Sequence, residues 1–340
     1  MSRVDIYKIL SQTGNSVRHL SVLNPLTIRK KGTRAKAVFA LSLVCFFWGT
    51  TWIASKEGVR YMPALQMAGI RQLLGGLCYV VFFLVKKVPL PKGKEWIPII
   101  VLSLLNFLLS NGLSTWGLKY ISSGLGAIMG AIFPLWIVII GLFTVKEKMP
   151  AKAIIGLALG FAGVCIIFSQ HLQDFLVPDF RFGIFLSLIA TWTWAFATLY
   201  TKKQASRFNP YYSLGLQMVI SGAVLLIFTA ITDSEKVNSF VPISAIPLHS
   251  WLSIAYLVIF GSVISFIAYL YALQHLPTGQ TSIYAYINPV VALLLGWALF
   301  GEHLTVFIAI GGGVALLGVY LVNKAFKALP PREQPEAEGV

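Results

Sequence analysis

Arg71 sits in the stretch MAGIRQLLGG (67–76), about seven residues into an apolar run that extends from 64 to 85. On a helix rising 1.5 Å per residue, that is ~11 Å from the start of the run. A guanidinium this deep among apolar side chains is costly unless it faces an interior cavity or a partner. The chemistry it offers is a counter-charge for a carboxylate or phosphate, gripped by two N–H groups of one planar fork. The plainer alternative is that Arg71 snorkels to a polar interface or holds backbone carbonyls.

Amides and aromatic rings accompany it. Asn106 and Asn111 fall inside another apolar run. An inward aspect or an interhelical hydrogen bond is expected of them. Trp48, Trp52, Trp116, Trp192, Trp194, Tyr269, Tyr284, Tyr286 and Asn288 occupy related runs. Trp48 and Trp194 lie eleven to thirteen residues in, deeper than an interfacial belt of aromatics. Such rings either line a pocket for an apolar or aromatic solute or pack in the ordinary way. No Asp, Glu or His lies in the middle of any apolar run, and the five His are scattered at loops and ends. Without a nucleophile–base pair or metal-ligand spacing, no catalytic residue, metal ligand or cofactor is expected. A proton relay is missing for the same reason, which favours a uniporter, exchanger or weakly coupled carrier. The chain has no G-x-x-x-x-G-K-[ST], so it carries no phosphate-binding ATPase loop of that type.

The elements that position these residues follow from composition. Only 11% of the 340 residues are charged and 57% are hydrophobic, against roughly 25% charged in a soluble domain. Lipid must therefore be the solvent for most of the chain. The net charge of +15 comes from short Lys and Arg clusters between apolar runs. That distribution builds no basic face with interleaved aromatics, so nucleic acid is excluded as a partner. Cys45, Cys78 and Cys165 all fall within apolar runs. No secretory signal peptide is expected in residues 1–36, which lack a contiguous apolar stretch followed by a small-residue cleavage site.

A bilayer core requires ~20 apolar residues per helix. Ten runs qualify: 37–56, 64–85, 96–117, 123–145, 151–169, 181–201, 211–232, 250–273, 279–300 and 304–323. With the N-terminus inside, the inner segments hold eighteen Lys and Arg, and the outer ones only Lys56, Arg60, Lys119, Arg181 and Lys236. That asymmetry predicts both termini on the cytoplasmic side. Pro134 and Pro289 are expected to kink the fourth and ninth helices. Glu147 and Glu302 precede the fifth and tenth, where a carboxylate is expected to cap the helix that follows it, with a gating role as the alternative.

The chain also repeats itself. Residues 127–156 and 282–311 align without a gap at a shift of 155, with seven of thirty positions identical, including Pro134/Pro289 and Glu147/Glu302. At a shift of 146, Phe39/Phe185, Trp48/Trp194, Lys56/Lys202 and Gly76/Gly222 match, and Arg71 falls on Gln217. Five helices per half is an odd number, so the second half enters the bilayer from the opposite side. The fold class expected is an all-α membrane protein of ten transmembrane helices arranged as two inverted five-helix repeats. The boundaries are a basic extension (1–36), a first repeat (37–169), a second repeat (181–323) and a disordered tail (324–340). Ile6, Leu10, Thr13, Val17 and Leu20 recur at helical spacing and suit either a short interfacial helix or a disordered basic arm. Gly126-x-x-x-Gly130 and Gly156-x-x-x-Gly160 are expected to let helices approach closely.

These features together resemble the EamA-type members of the drug/metabolite transporter superfamily. The residues that carry the resemblance are WGTTWIASKEG (48–58), AGIRQL (68–73), GLGAIMGAIFPLWIVIIGLFTVKEKMP (124–150), WAFATLYTKK (194–203), LQHLPTGQTSIYAYINPVVALLLGWALFGEHLT (273–305) and IGGGVALLGVYLV (310–322). The resemblance implies export or exchange of small metabolites across a bacterial inner membrane, with amino acids favoured and nucleotide sugars or sugar phosphates as the alternative. It also implies that Trp48, Arg71, Asn111, Trp194 and Tyr284 approach a central cavity. With Asn106 and Gln217, they form the candidate substrate-binding set. The partners expected are a small-molecule substrate and the lipid bilayer, with a homodimer left open. A membrane-embedded enzyme and a scaffold without a pore are weaker readings. The first lacks an acid, base or metal set, and the second has no use for an intramembrane arginine.

Overall fold

The computed structural model describes residues 31–133, 135–136, 139–140, 150–169, 173–204, 209–232, 240–276, 284–303 and 305–327. Among these the chain is all helical, with no strand. The N-terminal segment, Pro134, Glu147 and the C-terminal tail lie outside the described residues.

Six helices are long and apolar enough to cross a bilayer: α1 (Arg34–Gly58), α2 (Ala64–Val85), α3 (Gly93–Gly117), α6 (Pro178–Thr201), α7 (Pro210–Ile231) and α8 (Leu248–Ala272). Between and after them come α4 (Ser123–Ala131), α5 (Ala151–Ser169), α9 (Tyr284–Phe300) and α10 (Val306–Lys327). The ten full-length spans expected from composition are thus reduced to six in the described residues, with shorter apolar helices beside them. Large apolar side chains face outward on many helices, with Phe161 70% and Val306 69% exposed. Lipid satisfies such a surface and water does not. The protein is a multi-pass membrane protein.

Local chemistry sets several helix starts. Ser122 accepts a hydrogen bond from the Leu125 amide at the head of α4. Asn209 Oδ1 accepts from Tyr211 N and Tyr212 N at the head of α7, where Pro210 takes the first helical position. Pro289 lies inside α9, as the sequence predicted.

Two antiparallel helix pairs are held by glycine. A Cβ on Gly69 would fall 3.2 Å from the Gly222 carbonyl oxygen, and one on Gly76 would fall 2.7 Å from that of Gly215, so α2 and α7 touch backbone to backbone. Likewise, a Cβ on Gly156 would lie 2.7 Å from Gly318 O, and one on Gly163 2.5 Å from Gly311 O, which joins α5 to α10. In lipid there is no water to expel from between helices, so van der Waals contact of bare backbones supplies the association. Gly156-x-x-x-Gly160 therefore acts as expected. Gly126 and Gly130 do something else: the Trp52 indole packs over both, so this pair makes room for a ring.

Two stretches depart from α geometry. Ser103–Gly112 in α3 and Leu257–Ile264 in α8 are π-helical. Hydrogen bonds in a π turn run to the fifth residue, which widens the helix and re-aims its side chains and carbonyls. Both stretches border the site described next.

Candidate functional site

A cavity of about 170 Å³ lies between α1, α2, α3, α4, α6, α8 and α9. Its wall includes Trp48, Arg71, Asn106, Asn111, Trp194 and Tyr284. Six of the seven residues singled out from sequence thus meet in one place. The seventh, Gln217, stands behind the wall. It is buried, and its Oε1 accepts from Asn106 Nδ2 at 3.2 Å while its Nε2 donates to Ser213 Oγ at 2.9 Å. Gln217 orients a cavity residue and does not itself line the cavity.

Arg71 does not snorkel. It is 6% exposed. Its Nε donates to Ser262 Oγ at 3.2 Å, and no acidic group pairs with it among the described residues. Space for the guanidinium comes from Gly261, where a Cβ would lie 3.0 Å from Arg71 Nη2. The carbonyl of the same glycine accepts from Trp48 Nε1 at 3.2 Å. Cation and indole are therefore set side by side by one residue of the α8 π stretch. The next two carbonyls of that stretch, Ser262 O and Val263 O, accept from Tyr79 OH at 3.0 and 2.9 Å.

The π stretch of α3 is captured by another α2 residue. Gln72 Nε2 donates to Phe107 O and to Asn111 Oδ1, both at 3.1 Å, and Gln72 Oε1 accepts from Ser221 Oγ at 2.5 Å. Gln72 is buried and satisfied on every side, and it fixes which way Asn111 faces. Sequence reasoning passed over it, although an amide next to an intramembrane arginine is a signal that was available. We expect Gln72→Met, of similar shape, to destabilise the protein by about 2–4 kcal/mol, because three interhelical bonds vanish and the Phe107 carbonyl loses a donor. Thermal denaturation in detergent measures this. A melting temperature equal to wild type would show that the network contributes nothing.

The aromatic wall is tightly joined. Trp48 lies 5.1 Å, centroid to centroid, from Phe266, Tyr269 and Tyr284, and Phe133 stacks on Tyr284 at 6.2 Å. Asn288, in the amide orientation that satisfies its neighbours, donates to Tyr284 O at 3.1 Å and Cys45 O at 2.9 Å. Trp192 is 44% exposed and points away. Trp52 and Asn288 do line the cavity, whereas Tyr269 packs behind Trp48 and Trp116 against Phe182. The side chain of Tyr286 lies outside the described residues.

Glu302, just beyond α9, ties that helix to α4, and both helices contribute to the cavity wall. Glu302 Oε1 accepts from Ser123 N at 2.8 Å and Ser123 Oγ at 2.7 Å, and Oε2 accepts from Gly124 N at 3.2 Å. The carboxylate therefore caps α4, not the α10 helix that follows it in sequence as expected. The first amides of α4 were the nearest unpaired donors in three dimensions, and a negative charge at their helix N-terminus is favoured. Nearby, Lys56 Nζ donates to Leu118 O and Ile121 O, each at 2.7 Å. A second recess, about 410 Å³ and lined by α4, α9 and α10, is apolar apart from Thr305 and carries no chemistry beyond contact with hydrocarbon. Among the described residues no group of His, Cys, Asp or Glu could hold a metal ion.

Comparison with known proteins adds a family. The EamA-like transporter family profile matches residues 35–169 and again 181–324. The chain is similar to the uncharacterized inner membrane transporter YedA of Escherichia coli K12, 30% identical over 290 residues, covering 84% of this chain and 89% of that one. It is also similar to the uncharacterized transporter YvbV of Bacillus subtilis, 28% identical over 303 residues, covering 88% and 95%. A solved crystal structure superposes with a TM-score of 0.61 over 87% of this chain and all of the other, at 17% identity, which shows likeness of fold.

Proposed function

Because the chain belongs to the EamA-like transporter family, we propose that it is a secondary transporter that exports or exchanges a small metabolite carrying an acidic group, through the cavity at Arg71. The observation that carries this reading is the buried guanidinium facing open space with no acidic partner among the described residues. A charge so placed is stabilised when a carboxylate or phosphate arrives. Amino acids are the first class to test. Exchange of sugar phosphates or nucleotide sugars is the second reading, favoured by the same cation. A scaffold without a pore fits less well, since it needs neither the cavity nor the charge. The decisive experiment is flux of labelled solute from proteoliposomes of the purified protein. Saturable movement supports the proposal, and leak identical to empty vesicles overturns it.

The mechanism proposed is alternating access by two inverted repeats, 37–169 and 181–323, each of five spans, in a bacterial inner membrane with both termini cytoplasmic. The reciprocity of the helix pairs supports it. Gly69 meets Gly222 and Gly76 meets Gly215; under the internal shift of 146, each contact converts into the other. Gly156 with Gly318 and Gly163 with Gly311 do the same at a shift of 155. Such exchange is the signature of a two-fold relation. The two π stretches also fall at matching places, since Trp96 in α3 corresponds to Trp251 in α8. Inverted halves of this kind can swap conformations around a central site. In this scheme Glu302 holding α4 is a closure at the outer end, and it must release when the cavity opens outward. We expect Glu302→Gln, which loses the charge, to increase labelling of a Ser55→Cys reporter by a membrane-impermeant thiol reagent several-fold. Labelling that stays at the wild-type rate would remove Glu302 from the closure.

A further inference from the structure

We propose that the cavity selects organic monoanions with a compact aromatic or apolar body and discriminates against the same molecule bearing an ammonium group. The inference rests on the transport reading above, keeps its acidic group, and narrows its substrate class away from amino acids and nucleotide sugars.

Three observations carry it. First, the cavity is charged and one-signed. Arg71 is its buried cation, and among the described residues no Asp or Glu lines it. Where the structure describes them, each carboxylate lies near a helix end: Glu57 pairs with Arg60, Glu95 accepts from Lys92 N, Asp174 and Asp179 lie at the approach to α6, and Glu302 is taken by α4. The other seven occupy positions 5, 147, 233, 235, 333, 336 and 338, outside every one of the apolar runs. One carboxylate on the solute neutralises Arg71. An accompanying ammonium finds no carboxylate to replace the water it gives up.

Second, several acceptors around Arg71 are already engaged. Asn111 Oδ1 accepts from Gln72, and the Gly261, Ser262 and Val263 carbonyls accept from Trp48 and Tyr79. Aromatic faces attract cations, but weakly against the loss of an ammonium's hydration.

Third, the body of the ligand meets rings. Trp48, Trp194, Phe266 and Tyr284 line the cavity beside Arg71. The volume of about 170 Å³ is close to the ~150 Å³ that holds a single benzene ring. A ring with a short acid arm fits, whereas a nucleotide sugar does not.

Phenylacetate, mandelate and phenylglycine test this, because they differ only in hydrogen, hydroxyl or ammonium on one carbon. Binding is read as the rise in melting temperature of the purified full-length protein at millimolar solute, and transport as counterflow in proteoliposomes. Phenylacetate and mandelate are expected to stabilise wild type, with phenylglycine at least about tenfold weaker and benzylamine inert. All four should be inert towards Arg71→Gln, which is expected to melt no lower than wild type without solute. Phenylglycine matching mandelate would overturn the inference, as would anions that bind Arg71→Gln as well as wild type or that fail to bind wild type. Binding in the expected order without counterflow would leave the inference standing and overturn the transport reading alone.

Discussion

Arg71→Gln is expected to lower efflux of an anionic solute ~100-fold or more while leaving the protein folded. The magnitude follows from the interaction removed. A charge-assisted, two-pronged bond in a water-poor site contributes about 3 kcal/mol, and 1.4 kcal/mol is tenfold. Glutamine is the informative replacement, because Gln217 stands at the matching position of the second half, so the change makes the halves alike in charge. The sign of the stability effect is opposite to that of the activity effect. Removing a buried cation with no acidic partner among the described residues relieves a desolvation penalty, and among those residues the one bond lost is that to Ser262 Oγ. The variant should therefore melt at or above the wild-type temperature. Arg71→Lys should retain part of the activity, since it keeps the charge and loses the fork. Initial rates in proteoliposomes at matched protein content measure the two fluxes, and thermal denaturation in detergent measures the melting temperature. Wild-type flux in Arg71→Gln would remove the guanidinium from the site.

Gly163→Leu is expected to prevent the α5–α10 pair from forming, and with it the folded protein. The obstructing atoms are backbone, the Gly311 carbonyl and the Ala315 amide, which cannot swing aside as a side-chain tip does. The helices would have to move apart, losing contact along their whole length, and in lipid no hydrophobic gain compensates. The same reasoning applies to Gly311→Leu, whose Cβ would lie 2.7 Å from Gly163 O. We expect both to abolish the monodisperse peak in size-exclusion chromatography. Equal loss from the two is the particular expectation, because the two contacts are reciprocal. If Gly311→Leu ran as wild type while Gly163→Leu aggregated, the reciprocal packing would be wrong. Gly312→Leu is the control, since a Cβ there meets nothing within 4 Å.

How far the site was legible can be judged residue by residue. Arg71 was conspicuous because charge in an apolar run is expensive, and it is found buried and facing a cavity. Trp48 and Trp194 were conspicuous by depth, and Asn106 and Asn111 by polarity; all four line that cavity. Gln217 was read by analogy with Arg71, but the repeat correspondence fixes a place on a helix and not the direction a side chain takes once its neighbours differ. Ser213 and Asn106 turned it aside. Gln72 was passed over and Glu302 misread for a related reason. Their partners, Phe107 with Asn111 and Ser123 with Gly124, belong to other helices, and a cap is satisfied by the nearest donor in space.

By itself the amino-acid sequence determined the solvent of this protein, its helical character, its internal duplication and the one cation its interior must accommodate. These depend on composition, on the obligation of a backbone in lipid to bond to itself, and on spacing along the chain. Only the tertiary structure decided that two helices widen into π turns beside Arg71, that Gly261 makes room for the guanidinium while its carbonyl holds Trp48, and that Glu302 reaches across to α4. Those outcomes are set by competition among donors and acceptors far apart in sequence. The winner is whichever group the packed helices bring within about 3 Å, and no property of a single segment encodes that distance.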